Sequence, residues 1–191
     1  EFGLGTISWN EQLVDVPLDH SRDQADDNVT LTQQNLVCHY LIIRHEGFTY
    51  AGYSLKDRLA SRNIRYRYAG ENIAMIPASK NLLYLNPVGN EIQVCDKVAK
   101  FEPGDGTEED RVQLFREIIQ KSKNALKNLT PITWVNKEWR TEKEIAELTV
   151  DGWMNSPGHR DNILRKEYST AAIGIVAVND YLIITHNFLG Y

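Results

Sequence analysis

The chain has 191 residues, of which 42% are hydrophobic and 25% are charged, and this composition is typical of an ordinary folded domain with its own core. Its net charge of −5 argues against a protein that binds nucleic acid through a broad basic surface. Uninterrupted apolar runs of about 18 residues are absent from the sequence, so we expect no transmembrane segment.

Residues 1–29 are polar and show no periodicity, so we interpret them as an N-terminal tail in which His20 is solvated. No signal peptide is visible, but the chain does not begin with Met, so this says nothing about its compartment. Apolar residues at helical spacing then predict a first helix that begins at Thr30 or Thr32 and ends near His45.

The middle of the chain contains shorter predicted elements. Ser54 and Asp57 form an approximate capping box at the start of a short helix, SLKDRLASR. The alternating residues that follow predict an extended segment that ends at Pro77. Residues 82–98 read as a hairpin around the turn sequence NPVGN.

The second half begins with the strongest helical pattern, TEEDRVQLFREIIQKSKNALKN, which Thr107 caps. A capping box of Thr141 and Glu144 opens a further helix, and Pro157 ends it because the residue before a proline avoids the helical conformation. A short turn or helix, GHRDNILR, comes next.

Two apolar stretches at the end, AAIGIVAV and YLIITHNF, are separated only by Asn179 and Asp180, which predicts a tight β-hairpin. The order of elements favours an α+β fold in which helices cover an antiparallel sheet. We find no repeat or change of composition that would divide residues 30–191, and we expect a single domain there.

Polar residues with a possible chemical role are few. Cys38 and Cys95 lack the spacing of a zinc site, and they remain open as one disulfide or two buried thiols. Glu71 lies in the apolar stretch AGENIAMIP, and His159 follows Pro157 in WMNSPGHRDNIL. The common hydrolase, zinc-protease and phosphate-loop motifs are absent, so the residues alone do not specify a function.

The stretches GENIA, VDGWMNSPGHRDNIL, AAIGIVAV and HNFLG, in this order, resemble the CAP superfamily of cysteine-rich secretory, antigen 5 and pathogenesis-related proteins. The WMNSPGHR stretch is most similar to its prokaryotic members. The resemblance covers about residues 30–75 and 140–191, and we interpret residues 78–140 as an insertion. It implies an α-β-α sandwich, with helices on both faces of a small antiparallel sheet.

The resemblance also implies a cleft lined by two histidines and two glutamates. The matching positions here are His45, Glu71 and His159, while the second glutamate is replaced by Ser156. Two other residues are candidates to project into the cleft, Glu147 and His186.

Two imidazoles that face one another, His45 and His159, could bind Zn²⁺ or another divalent cation. Glu71 could orient one of the rings. Two protein ligands make a weak site that depends on pH, because an imidazolium cannot bind a metal. The structural alternative is that Glu71 completes a buried hydrogen-bond network, and the two interpretations are compatible.

We consider three functions. The first is a secreted or cell-surface binding module whose cleft takes a divalent metal, a lipid, or a small-molecule or protein ligand, as the resemblance implies. The second is a metal-assisted peptidase in which Glu71 activates water, and whether the protein is an enzyme stays open. The third is a partner-binding domain that acts through residues 78–140.

Overall fold

A computed structural model describes residues 4–32, 43–47, 54–80, 82–85, 88, 91–92, 133–136, 138–178 and 181–191. Within these ranges there are four α-helices, and their bounds are α1 (Asp15–Thr32), α2 (Leu55–Ser61), α3 (Glu142–Asn155) and α4 (Pro157–Ile163). None of the helices in this part of the chain is long and apolar enough to cross a membrane.

The described strands number seven, and they are β1 (Ser8–Trp9), β2 (Tyr68–Pro77), β3 (Leu82–Leu85), β4 (Glu91–Ile92), β5 (Thr133–Asn136), β6 (Thr170–Val178) and β7 (Tyr181–Gly190). The main sheet has the order β1-β6-β7-β2. Strands β6, β7 and β2 are antiparallel, as predicted, whereas the short β1 joins β6 in parallel. In this register Glu71 of β2 lies opposite Asn187 of β7.

Helices lie on both faces of the main sheet because successive strand residues point to opposite sides. On one face Leu189 of β7 packs in a buried cluster with Val16 of α1. On the other face Trp153 of α3 donates to the main-chain oxygen of Ile73 at 2.8 Å. The fold is therefore an α+β sandwich with helices on either side of a small sheet.

The interpretation of residues 1–29 as a tail is wrong for the part that the structure describes. Leu13, Val16 and His20 are fully buried, and α1 lies directly on the sheet. At Gly174 of β6 an added Cβ would come within 2.2 Å of the Leu18 main-chain nitrogen, so a glycine is needed for this close approach. The sequence analysis did not predict α1 because polar residues that form hydrogen bonds occupy part of its buried face. The domain limits themselves stay a prediction.

The predicted helix over residues 30–45 is also wrong at both of its described ends. Thr30 and Thr32 belong to the end of α1, and residues 43–47 have no regular secondary structure. His45 therefore does not end a helix. Residues 33–42 lie outside the described residues.

Local signals predicted several boundaries correctly. Ser54 caps α2 and Thr141 caps α3, each in a complete capping box. Ser156 has the extended conformation that Pro157 imposes on it (φ −99°, ψ 118°), and α4 begins directly afterwards. The final hairpin is confirmed because Val178 pairs with Tyr181, although its two turn residues lie outside the described part.

A second sheet has the order β4-β3-β5. Tyr84 pairs with Ile92, which confirms the start of the predicted hairpin, and it also pairs with Trp134 of β5. Strands near the two ends of the segment 78–140 therefore meet each other. The predicted helix from Thr107, both cysteines and residues 93–98 lie outside the described residues.

Candidate functional site

Glu71 is the centre of a buried polar cluster at the edge strand β2. Its side chain is 4% exposed and faces α1 and α2. One carboxylate oxygen, Oε2, accepts from Arg58 Nη2 at 2.7 Å and from Asn187 Nδ2 at 2.8 Å. The other oxygen, Oε1, lies 3.1 Å from Nδ1 of His45. The carboxylate is therefore satisfied from three separate segments of the chain.

Burial has the largest single influence on the pKa of Glu71, and it acts to raise it. The hydrogen bond with His45 and the neighbouring His20, Arg58 and Asn187 act in the opposite direction, and together they lower the pKa to about 2. Glu71 is therefore ionised at neutral pH. Arg58 is fully buried, and the ion pair compensates the high cost of taking its charge out of water.

His20 belongs to this cluster, so the prediction that it is solvated is wrong. The ring is fully buried, with Nε2 3.1 Å from the main-chain oxygen of Arg44 and 3.7 Å from Oε1 of Glu71. Burial is the main cause that lowers the pKa of His20 to about 4, so the ring is neutral at neutral pH. Its Nδ1 has no hydrogen-bond partner among the described residues.

His45 and His159 approach each other beside Glu71, with ring centroids 6.1 Å apart and planes inclined by 53°. His45 comes from the face of the sheet that carries α1 and α2, and His159 comes from α4 on the opposite face. Burial, followed by the proximity of His45, lowers the pKa of His159. In neutral His45 the contact with a carboxylate places the proton on Nδ1, which leaves the lone pair of Nε2 available.

Two asparagines join the segments that carry Glu71 and His159. Asn72 Nδ2 donates to the main-chain oxygen of His159 at 3.0 Å. Asn162 Nδ2 donates to the main-chain oxygen of Glu71 at 3.1 Å and to Oδ1 of Asn72 at 2.9 Å. The stretch AGENIAMIP therefore contacts WMNSPGHRDNIL through side-chain amides. These bonds set the position of α4, and with it the position of the second histidine.

Two residues expected near the cleft lie elsewhere. Glu147 is exposed on α3, 3.7 Å from Lys143, so the prediction that it enters the cleft is wrong. His186 lies on the face of β7 opposite to Asn187, with its ring centroid 3.9 Å from that of Phe188, and this prediction is also wrong. Ser156 lies at the junction of α3 and α4.

Arg58, Asn187 and His20 are the members of the site that the sequence analysis missed. A signal existed for His20, because it continues the helical spacing of Leu13 and Val16. Its polarity concealed this pattern. Arg58 and Asn187 carry no comparable signal, because only the folding of α2 and β7 brings them to Glu71.

The separation of the two histidine rings is close to that of two imidazoles bound to one cation. With metal–nitrogen distances of about 2.0–2.1 Å, two imidazoles on one Zn²⁺ have centroids roughly 5–6 Å apart. The observed separation of 6.1 Å needs only a small side-chain movement. Among the described residues there is no group of three or more His, Cys, Asp or Glu side chains that could hold a metal ion.

Comparison with protein families finds a match to the CAP model, the cysteine-rich secretory protein family, over residues 111–188. The match covers less than half of the chain, and it shows that this part is similar to the CAP family. The matched part of the chain includes His159 and leaves out His45 and Glu71. It also includes part of the segment 78–140 that we interpret as an insertion. The comparison with curated proteins finds no match.

Two solved structures are similar to this chain at low identity. An extracellular protein containing a SCP domain from Bacillus anthracis str. Ames has a TM-score of 0.49 and 21% identity, over 98% of this chain and 35% of that chain. An outer surface protein from Borrelia burgdorferi has a TM-score of 0.48 and 12% identity, over 98% of this chain and 79% of that chain. This chain thus spans about a third of the length of the Bacillus protein.

Proposed function

We propose that this protein is a CAP-type binding module that acts outside the cell or at its surface and holds a divalent cation, such as Zn²⁺, between His45 and His159. The observation that carries the proposal is the approach of the two rings to 6.1 Å while Nδ1 of His45 is already bonded to Glu71. The extracellular location rests on the similarity of residues 111–188 to a family described as secretory.

The arrangement around His45 supports metal binding. A carboxylate that accepts a hydrogen bond from one ring nitrogen sets the tautomer and makes the other nitrogen a better ligand. Glu71 is in place to do this for His45. The side chain of His45 is 51% exposed, so a cation can reach its free nitrogen from solvent.

A cation bound by two imidazoles keeps several coordination positions open. Water or an oxygen atom of a lipid, a small molecule or a peptide would occupy them. The protein supplies the two rings, the carboxylate that orients one of them and the asparagines that set their separation. Two protein ligands bind a cation only weakly until an oxygen atom of a bound molecule completes its coordination. Such weak binding suits a reversible function.

The same contacts argue against the alternative of a metal-assisted peptidase. A general base works best when its pKa lies near the operating pH. The pKa of Glu71 is lowered to about 2, and both of its oxygens are engaged by Arg58, Asn187 and His45. Glu71 is thus suited to orienting a ring rather than to accepting a proton from water.

Isothermal titration with Zn²⁺ tests the proposal. The wild-type protein is expected to bind one ion near neutral pH, and His45→Ala and His159→Ala are each expected to weaken binding at least tenfold. His186→Phe is the matched control, since this histidine lies outside the cleft, and its affinity should equal that of the wild type. Wild-type protein that takes up no zinc, or equal binding in all four proteins, would overturn the proposal.

A further inference from the structure

The residues that carry His45 form a short segment without regular secondary structure, residues 43–47, which we call the His45 segment. Its first residue, Ile43, packs against the apolar cluster of Ala25, Val178 and Ile183. The rest of the segment is polar. Its position therefore depends on hydrogen bonds to other parts of the chain.

Gln24 of α1 makes two such bonds, one on each side of His45. Its Oε1 accepts from the main-chain N–H of Arg44 at 2.8 Å, and its Nε2 donates to the main-chain oxygen of Glu46 at 3.2 Å. The Gln24 side chain is fully buried. A side-chain amide carries the same donor and acceptor as a peptide group, so Gln24 bridges the main chain on the two sides of His45.

Two other buried side chains bond the same segment at single points. His20 lies 3.1 Å from the main-chain oxygen of Arg44, and Arg58 donates to that of His45 at 3.1 Å. Both also approach the Glu71 carboxylate, so replacing either would change the charge cluster directly. Gln24 differs because it holds the backbone on both sides of the ligand residue.

We propose that Gln24 is a positioning residue for His45, and that its two-point contact with the backbone keeps Nδ1 of His45 on Glu71 and the ring beside that of His159. The consequence for zinc affinity rests on the function proposed above. The consequence for the tautomer of the His45 ring is independent of that function, because the contact between His45 and Glu71 exists without a metal.

The test compares Gln24→Met with a control, Ser21→Ala. Methionine has a similar length and volume but no amide. Ser21 is equally buried on the same helix, but its hydroxyl donates to the main-chain oxygen of Gly174 on the sheet and lies 2.9 Å from Oγ1 of Thr185. Its loss therefore reports the general effect of removing a buried polar group from α1.

The first readout is the pair of ¹⁵N shifts of the His45 ring in metal-free protein at a pH where the ring is neutral. The wild type should show one tautomer, protonated at Nδ1, whereas Gln24→Met should show a mixture. The second readout is zinc affinity, which should fall at least fivefold in Gln24→Met and less than twofold in Ser21→Ala.

The proposal is overturned if Gln24→Met keeps both the His45 tautomer and the zinc affinity of the wild type. It is also overturned if Ser21→Ala changes both properties as much as Gln24→Met does. If the wild type binds no zinc, the proposed function fails, but the tautomer still decides the role of Gln24. If Gln24→Met does not fold, Gln24→Glu replaces it, since it keeps the acceptor for Arg44 and loses the donor to Glu46. This variant should also give a mixed tautomer, and a wild-type spectrum would overturn the proposal.

Discussion

The side-chain amide of Asn162 donates to the main-chain oxygen of Glu71 at 3.1 Å, across 91 positions of the chain. The same nitrogen reaches Oδ1 of Asn72, and Asn72 in turn donates to the main-chain oxygen of His159. A chain of two amides therefore links the main chain at Glu71 to the main chain at His159. Because these bonds join β2 to α4, they contribute to stability as well as to the site.

Asn162→Ala is expected to lower the free energy of unfolding by about 1–3 kcal/mol, because two buried oxygen acceptors lose their donor. Urea denaturation measures the change. Asp161→Ala is the control, since Asp161 is exposed on the same helix, and its effect should stay within about 0.5 kcal/mol. Equal stabilities of the two variants would contradict the role given to the amide.

Glu71→Gln is expected to destabilise the protein by about 3–5 kcal/mol, because it removes the carboxylate that compensates the buried charge of Arg58. Thermal and urea unfolding measure the loss. Glu147→Gln removes a carboxylate from an exposed pair with Lys143 and should have little effect on stability. A small effect at both positions would show that the Arg58 charge is not compensated by Glu71.

Stability is expected to fall as the pH is lowered from about 6.5 towards 4. Burial lowers the pKa of both His20 and His186 to about 4, so the unfolded chain binds more protons than the folded protein in this range. Each histidine contributes a slope of at most about 1.4 kcal/mol per pH unit. The pKa of Glu71, lowered to about 2, adds a further loss only below its ordinary value of 4.5.

His186→Phe separates the two histidines in this pH dependence. Phenylalanine matches the packing of this ring between Trp153 and Phe188 and does not titrate. The slope of unfolding free energy against pH, measured in urea between about pH 4.5 and 7, should therefore decrease by the contribution of His186. The contribution of His20 to this slope should remain. An unchanged slope would mean that His186 is not held neutral by the fold.

Gly174→Ala is expected to cost several kcal/mol, since a Cβ at this position meets the backbone of Leu18 at 2.2 Å and α1 would have to move away from β6. The matched variant is Gly152→Ala, because an added Cβ on this exposed helical residue meets nothing within 4 Å. That change should stabilise α3 by up to about 1 kcal/mol. The two predictions are confirmed if the melting temperature falls in Gly174→Ala and rises in Gly152→Ala. They are contradicted if the melting temperature falls in both variants.

Elements set by near neighbours could be predicted from the sequence. The capping boxes at Ser54 and Thr141, the end of α3 before Pro157 and the pairing of Val178 with Tyr181 all depend on residues a few positions apart. Likewise, the resemblance to the CAP superfamily selected His45, Glu71 and His159, which the structure places side by side. Whether they bind a metal stays a prediction.

Sequence by itself determined several local boundaries and the class of the fold, and it selected three residues that the structure brings together. Only the tertiary structure decided that α1 is buried, that β1 is parallel to β6, and that Arg58, Asn187 and His20 surround Glu71. Hydrophobic periodicity reports burial by apolar packing, and it does not register polar side chains that are buried by hydrogen bonding. Their partners lie far along the chain, so only the folded arrangement of helices and strands identifies them.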